Sequence, residues 1–497
     1  MSFNSLEFLL FLPAVVLLYW LLPHKARWIL LLAASYIFYM SWNVWLIGLI
    51  LAVTVTAYVA GIAIDRADNR KAKKVWLIVT LIVCLGLLIF FKYINFILES
   101  AVGVIRLFDA GQEDIALNVI LPVGISFYTF QTLSYVIDVY RGEFKAERHF
   151  GYFALYVSYF PQLVAGPIER PQNLLPQLKE RHRLDEDDMR TGAKWLLSGF
   201  FRKCVVADFC GIFVDKVYAD PGGANALAMF VASALFLIQI YNDFAGYSEI
   251  ALGAARLMGV KLSKNFDKPL TSTSYTEFFR RWHITLNQWF TQYVYIPLGG
   301  NRKGTARKII NTLIVFTLCG LWHGANWTFV LWGLVAGIAV SIETLLKKFI
   351  KKPCGCTNAD DEKTEFRLFR QIVIFILFTF SCVLFRSQSL NEAGVAFRQM
   401  FTAWGFGEEY MNAAMSSLGM SPAQIFQLTV AIAAMVFLYR LTAERRERQE
   451  GGLLTSAART GEGTNVVVFV YGILAVALFW LALISSGDIS GFEYFQF

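Results

Sequence analysis

The sequence contains several apolar runs of about 18 or more residues, each long enough to cross the hydrocarbon core of a bilayer as a helix. Of the 497 residues, 56% are hydrophobic and only 16% are charged, whereas a soluble domain carries about 25% charged residues. A chain in lipid must satisfy its backbone hydrogen bonds internally, so such runs predict α-helices. The chain is therefore predicted to be an all-α polytopic membrane protein.

The net charge is +8, and most of the basic residues lie in short loops between the apolar runs. That distribution is typical of a membrane protein with its basic loops in the cytoplasm. A nucleic-acid interface would interleave aromatic residues in an exposed basic face, which the loops lack, so no nucleic-acid partner is predicted. The first run is followed, not preceded, by basic residues, so it is predicted to be a retained span and not a signal peptide.

The loop charges predict roughly ten transmembrane helices plus re-entrant segments. The predicted spans are residues 6–22, two short spans within 28–64 that break near 41–43, 76–98, 119–140, 195–218, 226–258, a bent hairpin within 309–347, 369–386, 423–440 and 466–486. A short run interrupted by Pro and Gly before residue 170 is predicted to be re-entrant, because irregular backbone at membrane depth is tolerated only inside protein or along a cavity.

Two of the five histidines lie forty residues apart, each directly after a tryptophan. When residues 275–295 are drawn as one helix at about 100° per residue, His283 falls in a polar stripe with Arg280 and Asn287. His323 is bracketed by Gly320 and Gly324. We expect these glycines to allow close approach of a backbone or a substrate and to leave the surroundings of His323 open.

Basic clusters at 302–308 and 347–352 flank the second histidine, so that stretch is predicted to enter the membrane and return, with His323 near the tip of a hairpin. A histidine at membrane depth is costly and is by default a functional hypothesis. The 226–258 run contains two carboxylates, Asp243 and Glu249. Asp243 is predicted either to form a structural ion pair or hydrogen bond or to contact substrate.

Residues 279–286, 295–302 and 320–327 resemble the membrane-bound O-acyltransferase family, and specifically its bacterial branch that includes the membrane subunit of alginate O-acetyltransferase. Residues 130–142, 160–170 and 241–249 are similar to the same family. The resemblance implies one integral membrane domain over 1–497, built around a central funnel, with a core at about 90–400 and flanking helices at 1–89 and 401–497. It also implies that His323 is catalytic and that His283 is a second essential polar group.

What the resemblance implies for activity is transfer of an acetyl group from a cytoplasmic donor, acetyl-CoA, towards an extracytoplasmic polysaccharide acceptor. A separate extracytoplasmic acetyltransferase would be the partner, and the bacterial inner membrane the location. Acyl transfer to a hydroxyl needs a base, and neutral imidazole suits that task. We expect His323 to be this base and His283 to orient substrate or polarise the carbonyl. The predicted substrate-binding residues are Arg280, Arg281, Trp282, Asn287, Asn326 and Asp243, with packing or headgroup anchoring as the other interpretation for several of them.

Two alternatives stay open at this point. One is D-alanyl transfer to teichoic acid, which is the same chemistry. The other is a transporter of a lipid-linked sugar or an acid that uses Asp138, Asp243 and Glu249 as its pathway. No metal and no bound cofactor are predicted, because the lone pair Cys354 and Cys356 has no histidine nearby in sequence.

Overall fold

The computed structural model describes residues 1–106, 108, 116–349 and 364–435, and over these residues the chain is helical and contains no strand. The helices are α1 (Leu6–Leu21), α2 (His24–Met40), α3 (Ile47–Arg66), α4 (Arg70–Leu88), α5 (Ile94–Ile105), α6 (Ile125–Arg141), α7 (Phe150–Ser158), α8 (Pro171–Lys179), α9 (Glu186–Phe200), α10 (Asp208–Ala219), α11 (Ala226–Arg256), α12 (Tyr275–Arg281), α13 (Ile284–Phe290), α14 (Gly304–His323), α15 (Trp327–Phe349), α16 (Thr364–Arg386), α17 (Leu390–Thr402), α18 (Glu408–Leu418) and α19 (Pro422–Met435).

Three π-helical turns extend these helices. Ile89–Tyr93 joins α4 to α5, Phe201–Ala207 joins α9 to α10, and Thr291–Tyr295 follows α13. Such widened turns are rare in proteins, and those that occur often lie at functional sites. The first and the third of them border the cavities described below.

Within the described ranges, five helices are long and apolar enough to cross a membrane, or up to six if the bent pair α18 and α19 forms one span. The prediction of roughly ten full spans is therefore not confirmed over this part of the chain. Helices α1 and α2 form where spans were predicted but have only 16 and 17 residues. The predicted span 466–486, and the end of that at 423–440, lie outside the described residues.

One finer prediction is confirmed, and the second, the re-entrant segment, stays a prediction. The run 28–64 breaks where predicted, because α2 ends at Met40 and α3 begins at Ile47. After α7 ends at Ser158, residues 159–170 have irregular backbone and almost all of them are buried. This is the setting in which irregular backbone is tolerated at membrane depth. The division into a core and flanking helices stays a prediction.

The apolar side chains form two clusters. One is built mainly from α1–α4, α6–α8 and α13, the other from α10, α12 and α15–α17, and α11 contributes to both. The long helix α11 packs against α9, α10 and α16, while α14 packs along α15. The boundary between the clusters passes between α12 and α13 and along the tip of the α14–α15 hairpin, which is where the two histidines lie.

Candidate active site

His323 lies at the tip of a helical hairpin. It is the last residue of α14, and α15 begins at Trp327. The predicted hairpin with a histidine at its tip is thus confirmed for the described residues. His323 is 6% exposed.

The glycines of this hairpin serve helix packing. A Cβ atom on Gly320 would lie 2.2 Å from the carbonyl oxygen of Phe329, and one on Gly333 would lie 2.2 Å from that of Phe316. Both distances are far below contact range, so α14 and α15 pack closely only because these positions lack side chains. The expectation that glycines leave the surroundings of His323 open is wrong; they bring a second backbone into contact.

His283 lies in a break between α12 and α13. Its φ of 44° is in the left-handed region, which is uncommon for a residue other than glycine. The Asn287 amide donates hydrogen bonds to the carbonyl oxygens of Phe279 (2.8 Å) and Trp282 (2.6 Å). These bonds satisfy acceptors that the end of α12 leaves unpaired within the helix.

The prediction of one helix over residues 275–295 is therefore wrong. The helix is interrupted because the segment before α12 forms hydrogen bonds with the backbone at the break. The Asp267 N–H donates to the Arg281 carbonyl and the Ile284 N–H donates to the Asn265 carbonyl, both at 2.9 Å. The break also removes the predicted polar stripe. His283 is buried, with 1% exposure, among aromatic rings.

The fold brings together the two histidines, which lie forty residues apart in the sequence. Their ring centroids lie 6.4 Å apart. The Trp322 ring contacts both, at 5.7 Å from His283 and 5.1 Å from His323. His283 packs edge-on against Phe244 at 4.7 Å and lies parallel to Phe127 at 6.1 Å. The two imidazoles thus belong to one aromatic cluster.

His323 lines two cavities. The first holds about 610 Å³ of empty space, counting its open mouth, and is bordered by Lys92, Gly124, Phe127, Val164 and Trp322. The second, about 430 Å³ counted in the same way, is mainly apolar and is bordered by Ile240, Phe278, Trp282, Trp332, Cys382 and Phe385. His283 is not among the described residues that border either cavity. Of the two histidines, His323 is the one that a substrate in these cavities would reach.

A third and larger cavity, about 1030 Å³ counted in the same way, lies beside α13. We call it the polar cavity after the polar side chains that share its lining with apolar ones: Arg170, Arg280, Asn287, Gln288, Gln292 and Tyr293. The Arg170 guanidinium donates to the Gln292 side-chain oxygen and pairs with Asp138, each at 2.8 Å. The Tyr293 hydroxyl donates to Asp138 at 2.8 Å. These bonds hold one wall of the cavity in place.

Three of the predicted substrate-binding residues border a cavity: Arg280 and Asn287 line the polar one, and Trp282 the apolar one. Arg281 pairs with Glu277 at 2.7 Å, one helical turn away. Asn326 donates to the Gln388 carbonyl at 2.7 Å. The structure therefore gives Arg281 and Asn326 protein contacts, and substrate contact stays a prediction for all of these residues.

The three carboxylates of the transporter alternative are each held by a cation. Asp138 pairs with Arg170 at 2.8 Å, Asp243 with Lys203 at 2.8 Å, and Glu249 with Arg202 at 2.9 Å. The Asp243–Lys203 pair is almost fully buried and is the structural ion pair that was one of the two interpretations of Asp243.

Sequence reasoning missed Lys92 and Arg170, both of which line cavities. Lys92 is the single charged residue in the apolar run 76–98. A charged residue at membrane depth is a functional hypothesis in its own right, so that signal was present in the sequence.

Within the described ranges, no three side chains of the His, Cys, Asp and Glu types come together in a way that would hold a metal ion. Cys84, Cys204, Cys210, Cys319 and Cys382 are free thiols. Cys354 and Cys356 lie outside the described residues.

Residues 147–385 match the model of the membrane-bound O-acyltransferase family. The chain is 34% identical over 519 residues to the probable alginate O-acetylase AlgI of Azotobacter vinelandii and 36% identical over 504 residues to that of Pseudomonas putida, with 100% of both chains covered in each comparison. It is 32% identical to the peptidoglycan O-acetyltransferase of Helicobacter pylori, over 79% of this chain and 78% of the other.

Teichoic acid D-alanyltransferases are more distant relatives. That of Streptococcus thermophilus is 30% identical over 44% of this chain and 56% of its own length. The similarity to alginate O-acetylases, in contrast, extends over the whole chain. The chain therefore belongs to the membrane-bound O-acyltransferase family and is a multi-pass membrane O-acyltransferase.

Proposed function

We propose that the protein moves an acetyl group from cytoplasmic acetyl-CoA through the membrane core to a hydroxyl of an exported or cell-surface polysaccharide. The observation that carries the proposal is the position of His323 at a hairpin tip between two cavities, one open and partly polar, the other apolar. A base that borders two spaces at once is able to meet an acyl donor from one and an acceptor from the other. The names of the relatives, alginate and peptidoglycan O-acetylases, support this substrate class.

The polar cavity beside α13 suits the donor. Arg280 is exposed and lines it, and the basic residues of 261–268 and 302–308 lie nearby in sequence. Guanidinium groups bind phosphate well, and the basic loops favour the cytoplasmic side. We assign this cavity to the nucleotide end of acetyl-CoA.

The length of α14 separates the basic residues of 302–308, around its start, from His323 at its end. The helix has 20 residues, which at 1.5 Å per residue amounts to about 30 Å, the thickness of the hydrocarbon core. Beyond the tip, the Trp327 indole N–H donates to the Ser100 hydroxyl at 3.2 Å. Ser100 lies within α5, and the acidic residues Asp109, Glu113 and Asp114 follow that helix in sequence. These features support an acceptor that approaches His323 from the extracytoplasmic side.

The chemistry balances without a covalent enzyme intermediate. The imidazole of His323 takes the proton of the acceptor hydroxyl while the hydroxyl oxygen attacks the carbonyl carbon of the thioester. A C–O bond forms, the carbonyl electrons move onto oxygen, and their return breaks the C–S bond. The thiolate of CoA leaves and receives the proton from His323. His283 supports the Trp322 ring and thereby the position of His323.

The bacterial inner membrane is the location that fits this direction of transfer, and a separate extracytoplasmic acetyltransferase is the partner that would complete delivery to the polymer. Both belong to the proposal. Neither needs a change in the chemistry at His323.

The test is transfer across a bilayer. Purified protein is placed in lipid vesicles with labelled acetyl-CoA outside and alginate oligosaccharides inside, with and without a periplasmic extract enclosed. We expect CoA release outside and label on the enclosed oligosaccharides. Intact acetyl-CoA inside the vesicles, or no label on the sugar in either condition, would overturn the proposal.

A further inference from the structure

Lys92 lies beside the catalytic hairpin, in the π-helical turn between α4 and α5. Its ammonium donates hydrogen bonds to the carbonyl oxygens of Trp322 at 2.7 Å and His323 at 3.1 Å. The neighbouring Tyr93 hydroxyl donates to the Leu321 carbonyl at 3.1 Å. The last carbonyls of a helix have no partner within the helix, and a cation there is favoured by the helix dipole. One turn of α4–α5 thus caps the end of α14.

The charge of Lys92 has no acidic partner among the described residues, since its contacts there are carbonyls and rings. The ammonium lies 5.8 Å from the centroid of the Trp322 ring and 6.0 Å from that of Tyr93. Lys203 forms the contrast, because it is paired with Asp243 and Asp208 at 2.8 and 2.7 Å. A charge held in a nonpolar region without a counter-ion costs free energy. The position of Lys92 therefore suggests a functional role.

The geometry offers one. Lys92 and His323 border the same cavity, and an ammonium carries three N–H groups, of which two donate to the carbonyls of α14. One N–H is left for a group in the cavity. The reaction proposed above develops negative charge on the carbonyl oxygen within reach of His323.

We propose that Lys92 is a further catalytic residue, whose remaining N–H donates to the oxyanion of the tetrahedral intermediate. This inference rests on the proposed function. As the acceptor oxygen bonds to carbon, the carbonyl electron pair moves onto oxygen and is stabilised by the ammonium, which keeps its proton. When the pair returns and the C–S bond breaks, the contact weakens. A fixed donor in a dry site stabilises such charge without having to reorganise.

The same ammonium also holds the backbone of His323, so the test separates capping from catalysis. Lys92→Met removes the charge with little change in shape, and Lys92→Gln keeps an amide that is able to cap a carbonyl but has no charge. Tyr93→Phe is the matched control, because it removes a cap from the same turn without touching the cavity. The probe is acetyl-CoA with alginate oligosaccharides, measured as CoA release by protein in lipid vesicles.

We expect kcat to fall by roughly 10² to 10³-fold in Lys92→Met, the range found when one oxyanion donor is removed. KM for acetyl-CoA should change by less than about threefold, since the ground-state donor does not need this contact. Lys92→Gln should still lose about tenfold or more, and Tyr93→Phe should stay within about threefold of wild type. If Lys92→Met does not fold, the Lys92→Gln result decides.

Wild-type kcat in Lys92→Gln, or equal losses in Lys92→Gln and Tyr93→Phe, would overturn the inference and leave Lys92 as a cap only. Those results need an active wild type. A wild type that releases no CoA would instead contradict the proposed function and the inference together, so the two failures are distinguishable.

Discussion

The two histidines of this protein lie in one aromatic cluster but differ in what surrounds them. His323 lies at the end of a 20-residue helix and borders two cavities. His283 lies in a strained break between two seven-residue helices and is enclosed by Phe127, Phe244 and Trp322. The first imidazole is accessible to small molecules and the second is packed by protein. The same sequence pattern, a tryptophan followed by a histidine, thus occurs in two different structural surroundings.

The proposed function needs a base that is held in place and borders open space. Close packing at Gly320 and Gly333 fixes the hairpin, and Lys92 holds the backbone at its tip. The His323 ring itself packs against Trp322, Trp332 and Phe385 and also borders two cavities. His283 supports this arrangement through the ring of Trp322, which both histidines contact.

The largest effect is expected for His323→Asn. A general base contributes roughly 10² to 10⁴-fold to a rate, and we expect kcat for CoA release to fall by about 10³-fold with little change in KM for acetyl-CoA. The variant should elute like wild type, with a melting temperature lowered only by the lost ring contacts with Trp332 and Phe385. Activity within about threefold of wild type would remove His323 from its role as the base.

The same substitution at the other histidine, His283→Asn, is the matched comparison. Asparagine tolerates the left-handed backbone of this position better than most residues, so the break should be kept. We expect kcat to fall only by about tenfold, together with a lower melting temperature from lost aromatic packing. A fall in kcat as large as that of His323→Asn would contradict the different roles proposed for the two histidines and indicate that His283 takes part in the reaction.

A smaller effect on turnover is expected for Asp243→Asn, which lies beside Phe244 and so beside His283. Breaking a buried ion pair costs about 3 to 5 kcal/mol, and Asp208 remains as a partner of Lys203, so we expect a loss of roughly 3 kcal/mol in the free energy of unfolding at most. Activity per folded molecule should stay within about twofold of wild type. Abolished activity in a folded protein would contradict a purely structural role and favour substrate contact by Asp243.

The helical membrane class and the hairpin around His323 were predictable because long apolar runs and flanking basic clusters act locally along the chain. The break at His283 was not predictable, because residues 275–295 contain no Pro or Gly that would indicate the end of a helix. It depends on the distant backbone of Asn265 and Asp267. The glycines beside His323 were recognised as sites of close approach, but sequence alone did not distinguish a neighbouring helix from a substrate.

The residues that line the cavities also divide into those that the sequence indicated and those that it did not. Arg280 and Trp282 belong to motifs that the family resemblance singled out, and both line cavities. Lys92 lies outside these motifs, and Arg170 ends the family-like segment 160–170 but was not singled out as a site residue. A search for charged residues inside apolar runs finds Lys92, whereas the role of Arg170 depends on its contact with Asp138 and Gln292.

The central claim is that His323 acts as a base in direct transfer and not as a nucleophile. The most direct measurement mixes labelled acetyl-CoA with a molar equivalent of the protein in lipid, with and without alginate oligosaccharides, and follows CoA release and label on the denatured protein. We predict rapid CoA release only with the oligosaccharide present and no stoichiometric label on the protein. A burst of one CoA per protein without acceptor, with the acetyl group retained on the chain, would contradict the account.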